Sequence, residues 1–216
     1  MNSALQRYLE FSQQHWRNDF IPPHMMLNSG WASYEDFELR RLCESLPDQA
    51  TLQSFRRNNT ILMAGPSYSM DMLDIITRFQ SDSRFGGSVG IGNPAWYLED
   101  TEKFARQDKI DGLCWFAFSR TPIAGTLSKN WQSQQLLVKE PKRIPNAAEI
   151  MWAMTTSLII DDVRLFGDFF VRSSSVDSEQ QPVIFGTDSD GRIIIDTNYE
   201  VADPILGVVT VEKFPA

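Results

Sequence analysis

Several short stretches of this chain hold residue types that could do chemistry. Gly90-Ile91-Gly92-Asn93-Pro94-Ala95 spells G-x-G-x-x-A, the skeleton of a dinucleotide loop, whose glycines let the backbone approach a pyrophosphate at a helix N-terminus. Such a loop follows a buried strand and opens a helix. Here polar "SDSRFGGSV" precedes it and "PAWYLED" follows, and Pro94 removes one amide. The segment therefore reads as a loop delivering "AWYLE" (95–99) into a sheet, and no cofactor is assigned. A better setting for an anion is Gly65-Pro66-Ser67-Tyr68-Ser69, between the strand-like "TILMA" and a helix start. Amides and hydroxyls there could face one point. The stretch lacks the lysine of a P-loop and the last glycine of a nucleophile elbow.

Other candidates divide between chemistry and structure. Asp188-Ser189-Asp190-Gly191 falls short of a calcium loop and reads as a hairpin turn. His15 and His24 could each act as a general base. Neither has a serine or cysteine nearby in a recognised arrangement, so no catalytic residue is assigned. Glu99, Asp100, Glu102, Asp108 and Asp111 offer paired carboxylates for acid–base work. Interleaved Lys103, Arg106 and Lys109 explain them equally as a solvated helix face. Trp96, Trp115, Phe116, Phe118 and Trp131 form the densest aromatic region. Alternation along 112–119 sets Trp115 opposite Phe116 and Phe118, which gives either core packing or an aromatic pocket beside Arg120. The candidate ligand-binding residues are thus Ser67, Tyr68, Ser69, Trp96, Trp115 and Arg120.

Composition narrows the function classes. The net charge is −8, and residues 161–216 hold eleven acidic and four basic side chains. A nucleic-acid binder needs a basic face, and the nearest cluster is Arg120, Lys129, Lys139, Lys142 and Arg143, offset by Glu140. Nucleic acid is therefore not an expected partner. Ile150 to Phe166, the most apolar stretch, is broken by Asp161, Asp162 and Arg164, so no membrane span is expected. Cys43 and Cys114 are too few for a disulfide framework, and with two histidines they make no recognisable metal site. "MNSALQRYLEF" does not read as a secretory leader, so the cytoplasm is the expected compartment.

The elements that must position these residues follow from periodicity. Leu5, Tyr8, Leu9 and Trp16 predict a first helix, stopped by Pro22-Pro23. Ser33 with Asp36 resembles a capping box before Leu39, Leu42, Cys43 and Leu46, and a shorter helix carries Leu52 and Phe55. "TILMA" (60–64) predicts a buried strand, Asp71 a helix cap, and "GLCWFAFS" (112–119) a strand. "LSKNWQSQQLLV" (127–138) leans to helix. Asn146 and Glu149 cap a helix through "IMWAMTTSLII". "DFFVRS" (168–173), "PVIFGT" (182–187), "RIIID" (192–196) and "ILGVVTVE" (205–212) predict a β meander, with "SSSVDSEQQ" (173–181) as a polar loop. The expectation is one α+β domain, helical over 1–58 and sheet-containing over 59–216. Its N-terminal helices pack on a mixed, mostly antiparallel sheet.

The order of these segments resembles an uncharacterised, mainly actinobacterial family of domains of unknown function. The resemblance rests on "GWASYEDFELRRLCESL", "TILMAG", "PAWYLED", "RIPNAAEIMWAM" and "FFVRSSSVDSEQQPVIFGTDSDGRIIID". The chain departs from that family in its glycine-rich stretch and lacks its tryptophan-rich tail. The resemblance implies an α+β fold and no activity or ligand. From the residues themselves, the leading expectation is a non-catalytic binding module with a basic protein partner, such as a toxin neutralised by an immunity-type protein. The alternative is a small enzyme or metabolite binder using Gly65–Ser69 and the aromatic region near Trp115.

Overall fold

The computed structural model describes residues 19–84, 91–92, 96–197 and 202–216. The expected first helix, with Leu5, Tyr8, Leu9, His15 and Trp16, lies outside them. So does most of the Gly90–Ala95 motif, of which only Ile91–Gly92 is described. The chain enters through β1 (Phe20–Ile21) and α1 (Pro23–Asn28). The Pro22-Pro23 pair, read as a stop, also begins a helix, because proline's missing amide is no loss in the first turn. α2 (Asp36–Glu44) opens after Glu35, whose N–H donates to the Glu38 carboxylate at 2.8 Å, rather than at Ser33. The later start leaves Tyr34 outside the helix, with its hydroxyl donating to the Gly65 carbonyl at 2.6 Å. α3 (Gln49–Arg57) is capped by Asp48, which accepts from the Thr51 N–H.

β2 (Thr60–Ala64) is buried along its whole length. β3 (Met70–Asp71) runs into α4 (Met72–Ser81), whose cap is Asp71 with Asp74. β4 (Ile91–Gly92) follows. Trp96–Leu98 is a single 3-10 turn, not the expected strand. The turn lets Trp96 and Tyr97 both pack inward while Leu98 stays 51% exposed, which strand alternation would forbid. α5 (Phe104–Gln107), β5 (Lys109–Ile110) and β6 (Cys114–Ser119) come next. α6 is only Trp131–Gln135, and α7 spans Ala147–Asp161. The C-terminal strands are β7 (Phe170–Val176), β8 (Pro182–Thr187), β9 (Ile193–Thr197), β10 (Leu206–Val208) and β11 (Val211–Pro215).

The protein is an α+β fold with mixed, mostly antiparallel sheets. One sheet has the order β1-β2-β6-β11, a second β10-β7-β8-β9-β4, and β3 pairs with β5. β7, β8 and β9 form the C-terminal antiparallel meander. "ILGVVTVE", expected as one strand, is divided between two sheets. β10 lies parallel to β7, and β11 lies antiparallel to β6. The break falls at Val209 and Thr210, where Thr210 exchanges hydrogen bonds with Ser119 instead of continuing the first ladder.

α7 joins the sheets. Asn146 and Glu149 cap it reciprocally, and thirteen of its fifteen residues are buried. The Trp152 indole N–H reaches the Ala64 carbonyl of β2 at 3.1 Å. Met154 and Leu158 line a small void with Thr187 and Ile193 of the second sheet. The far face of that sheet is covered by residues 122–134. Gln134 donates to the Leu206 carbonyl at 3.0 Å and accepts from the buried Arg172 guanidinium at 2.7 Å. Among the described residues, no helix is long and apolar enough to cross a membrane.

The turn after β2 is held by close backbone approach. A Cβ on Gly112 would lie 2.8 Å from Tyr68 Cα and 3.0 Å from the Ser67 carbonyl oxygen. Gly112→Ala should therefore cost about 1–3 kcal/mol in urea unfolding. Gly167→Ala, whose Cβ would meet only a carbonyl oxygen at 3.7 Å, should stay within about 0.5 kcal/mol of the parent.

Candidate functional site

A groove of about 520 Å³ opens between residues 101–108 and the second half of β7 with the turn that follows. Ligand sites typically fall between ~300 and 1,000 Å³. The groove exists because β7 is irregular: its register against β8 shifts between Arg172 and Val176. A bulge bends the strand and re-aims its side chains. Ser173 turns inward and donates to the Val183 carbonyl at 2.9 Å. Ser174 is exposed at the groove, and Ser175 is buried.

Ser175 is a joint between three elements. Its hydroxyl accepts the first amide of α7, from Ala147, at 2.8 Å and donates to the Asp108 carboxylate at 2.5 Å. A buried hydroxyl used in both directions is satisfied, which fixes the Asp108 side chain at the end of α5. One turn further on, Asp177 accepts the backbone N–H groups of Glu179 (2.9 Å) and Gln181 (2.7 Å) through one oxygen. That pattern is an Asx turn. Ser178 then donates its N–H and hydroxyl to the two oxygens of Glu102, at 3.0 and 2.6 Å.

Three carboxylates therefore line or back the groove, each held by neutral donors. Glu102 is 8% exposed, Asp177 9%, and Asp108 half-buried. Among the described residues none of the three has a salt-bridge partner. Lys103 is the cation that lines the groove, with Thr101, Gln107 and Gln180 adding neutral polar groups and Phe104 an aromatic wall. Buried or half-buried anions raise the local negative potential well above that of a solvated surface.

The reading of 99–111 as a solvated face needs correction at Glu102 and Asp108, which are drawn in by Ser178 and Ser175. Asp111, by contrast, meets Lys213 at the surface. The run 173–181 is likewise strand to Val176 and turn only beyond it. Both halves of the groove were visible as separate polar runs. The signal that joins them, a serine donor for each carboxylate, becomes meaningful only once they are adjacent.

The six residues singled out by sequence lie in four places. Ser67 and Tyr68 line a void of about 10 Å³ with Trp31, Arg78 and Trp152, no larger than one water. Ser69 and Tyr68 are exposed. The nearby N-terminus of α4 is occupied by the protein's own Asp71, which accepts the Asp74 N–H at 2.9 Å. That carboxylate already satisfies the helix end that an anion would use. Trp96 packs on Phe104 at 5.5 Å, behind the groove. Trp115 is fully buried, stacked on Phe20 at 5.4 Å, and donates its indole N–H to the Leu42 carbonyl at 2.8 Å. Arg120 sits with Asp19, 3.7 Å from its carboxylate. His24 is half-buried on α1, where desolvation lowers its pKa, and burial raises the Cys114 thiol.

The chain is an α+β protein carrying an open polar groove. Comparison with models of protein families, with curated proteins and with solved structures gave no match.

Arg120 has a second acidic neighbour, Asp161, in the last turn of α7. Burial pushes Asp161 up from 3.8 to about 6, and the Arg120 charge opposes that rise. Asp161 binds its proton more tightly folded than unfolded. Its contribution to stability is therefore largest at low pH and declines as pH rises from about 4 to about 6. Asp161→Asn should remove that decline and raise the melting temperature at pH 8, checked by thermal melts from pH 4 to 8.

Proposed function

We propose that this protein is a non-catalytic binding module for a basic protein, in the manner of an immunity-type protein that neutralises a toxin. The supporting observation is how the cations of residues 161–216 are used. Arg172 is buried against Gln134 and the Lys129 carbonyl. Arg192 pairs with Asp188 at 2.7 Å and Asp190 at 3.2 Å, and Lys213 pairs with Asp111. Among the described residues Arg164 has no ion pair, while Asp162, Asp168, Glu179 and Asp196 stand exposed and outside any salt bridge. A surface of that sign speeds encounter with a cationic partner and disfavours an anionic one. Membership of the bacterial domain family and a cytoplasmic location belong to the same proposal. The free, buried thiols of Cys43 and Cys114 fit a reducing compartment.

The test is affinity capture of the basic proteins encoded beside this gene, followed by titration of the captured partner. Its dissociation constant should weaken severalfold between about 0.1 M and about 1 M salt, as screening shortens the reach of surface charge. A dissociation constant that does not move with salt, or no specific partner, overturns the proposal.

A further inference from the structure

Arg78 of α4 lines the void beside Ser67 and Tyr68, and it is a cation held in place without an anion. We propose that this void takes one carboxylate oxygen of a small organic monocarboxylic acid, whose apolar body lies outside it against Pro66 and Tyr68. The site is independent of the binding-module reading.

The guanidinium is positioned by an aromatic floor. It lies 5.7 Å from the centre of the Trp31 ring. Trp31 is itself fixed, because its indole N–H donates to Thr156 at 2.8 Å and its ring stacks on Trp152 at 5.5 Å. Of the five N–H donors of Arg78, one reaches the Gly30 carbonyl at 3.3 Å. Its Nε is buried with no hydrogen-bond partner, and among the described residues Arg78 has no ion pair. Asp74, one turn back on α4, does not serve it, since that carboxylate accepts the Asp71 N–H at the helix start. Buried donors in native proteins are normally matched by an acceptor, so an orphaned guanidinium N–H marks a place for one. The Ser33 and Ser67 hydroxyls line the same void, and neither makes a side-chain hydrogen bond among the described residues.

Size and charge set the ligand class. The void measures about 10 Å³, room for a single oxygen. Ser33 and Tyr68 on its rim are exposed, so it is reached from outside. One cation in a chain of net charge −8 matches one negative charge and disfavours a doubly charged phosphate. Arginine meets a carboxylate through charge-assisted hydrogen bonds. The Tyr68 side chain, 56% exposed, offers a ring to the apolar part of the acid.

The test titrates benzoate into nitrogen-15-labelled protein and follows the amides together with the Arg78 Nε–H signal. Benzoate should shift that signal and the amides of residues 31–33 and 66–70, with an affinity on the order of millimolar. Benzamide, which keeps the ring and loses the charge, should bind about tenfold more weakly. Inorganic phosphate and the peptide acetyl-Gly-Glu-Gly amide should also bind more weakly than benzoate. Arg78→Lys keeps the charge and loses the planar fork, and should weaken benzoate about tenfold. Ser67→Ala, at a half-buried position away from the Trp31 stack, should weaken it severalfold and keeps the test decisive if Arg78→Lys proves unstable. No shift with benzoate, shifts confined to other residues, equal binding of benzamide, or parental affinity in Ser67→Ala would overturn the site. Tighter binding of phosphate, or of the glutamate peptide, would overturn the assignment to a free monocarboxylic acid. A basic protein partner that binds equally well to Arg78→Lys leaves the binding-module reading standing whichever way benzoate behaves.

Discussion

A helix without a solvent face must be enclosed, and enclosing α7 organises this protein. Its apolar side chains point in every direction, so a single sheet could cover only one side of it. The β1-β2-β6-β11 sheet meets it through Trp152, and the β7-β8-β9 meander meets it near Met154 and Leu158. Each large apolar side chain buried this way contributes roughly 1.5–3 kcal/mol. The polar groups on the same helix are satisfied locally. Thr155 donates to the Met151 carbonyl at 2.7 Å, and Thr156 accepts the Trp31 indole N–H at 2.8 Å. Glu149, almost fully buried, is gripped by the Arg143 guanidinium and the Asn146 amide. The chain must also pass from one sheet to the other, which Val209 and Thr210 accomplish.

The groove is a by-product of how α7 begins. The helix leaves amides at its N-terminus that need acceptors. Asn146 takes one and the Ser175 hydroxyl another, which ties β7 to the helix start. Once Ser175 points inward its proton needs an acceptor, and Asp108 supplies one. The bulge, the helix terminus and the half-buried carboxylate are therefore one arrangement. The turn after β7 repeats the logic with Ser178 and Glu102. Negative charge accumulates on one concave surface because hydroxyls and amides, not cations, hold these carboxylates.

Where local chemistry decided an element, the sequence was readable. "TILMA" and "PVIFGT" are short, apolar and bounded by turn residues, and both are strands over the expected ranges. Asp71 and Asn146 mark helix starts because a side-chain oxygen on an orphan amide is a contact between near neighbours. Trp96–Leu98, Ser33 and "ILGVVTVE" were misread for a common reason. Each was shaped by a distant partner: the Ile195 carbonyl for Trp96, Gly65 for Tyr34, and the separate sheets for the last strand pair. Trp115 shows the same limit. Its aromatic ring suits a pocket or a core equally, and Phe20 and Leu42, far away in sequence, place it in the core.

By itself the sequence determined composition, the uneven placement of charge, the caps and the apolar periods, because these act over a few residues or over none. It separated an α+β chain from a membrane span and showed an acidic C-terminal third. Only the tertiary structure decided which polar residues share a surface. Glu102 and Asp108 lie some seventy positions from Ser178 and Ser175, and no local pattern links them. The buried start of α7 brings them together, because its unpaired amides, like every buried polar group, must find partners.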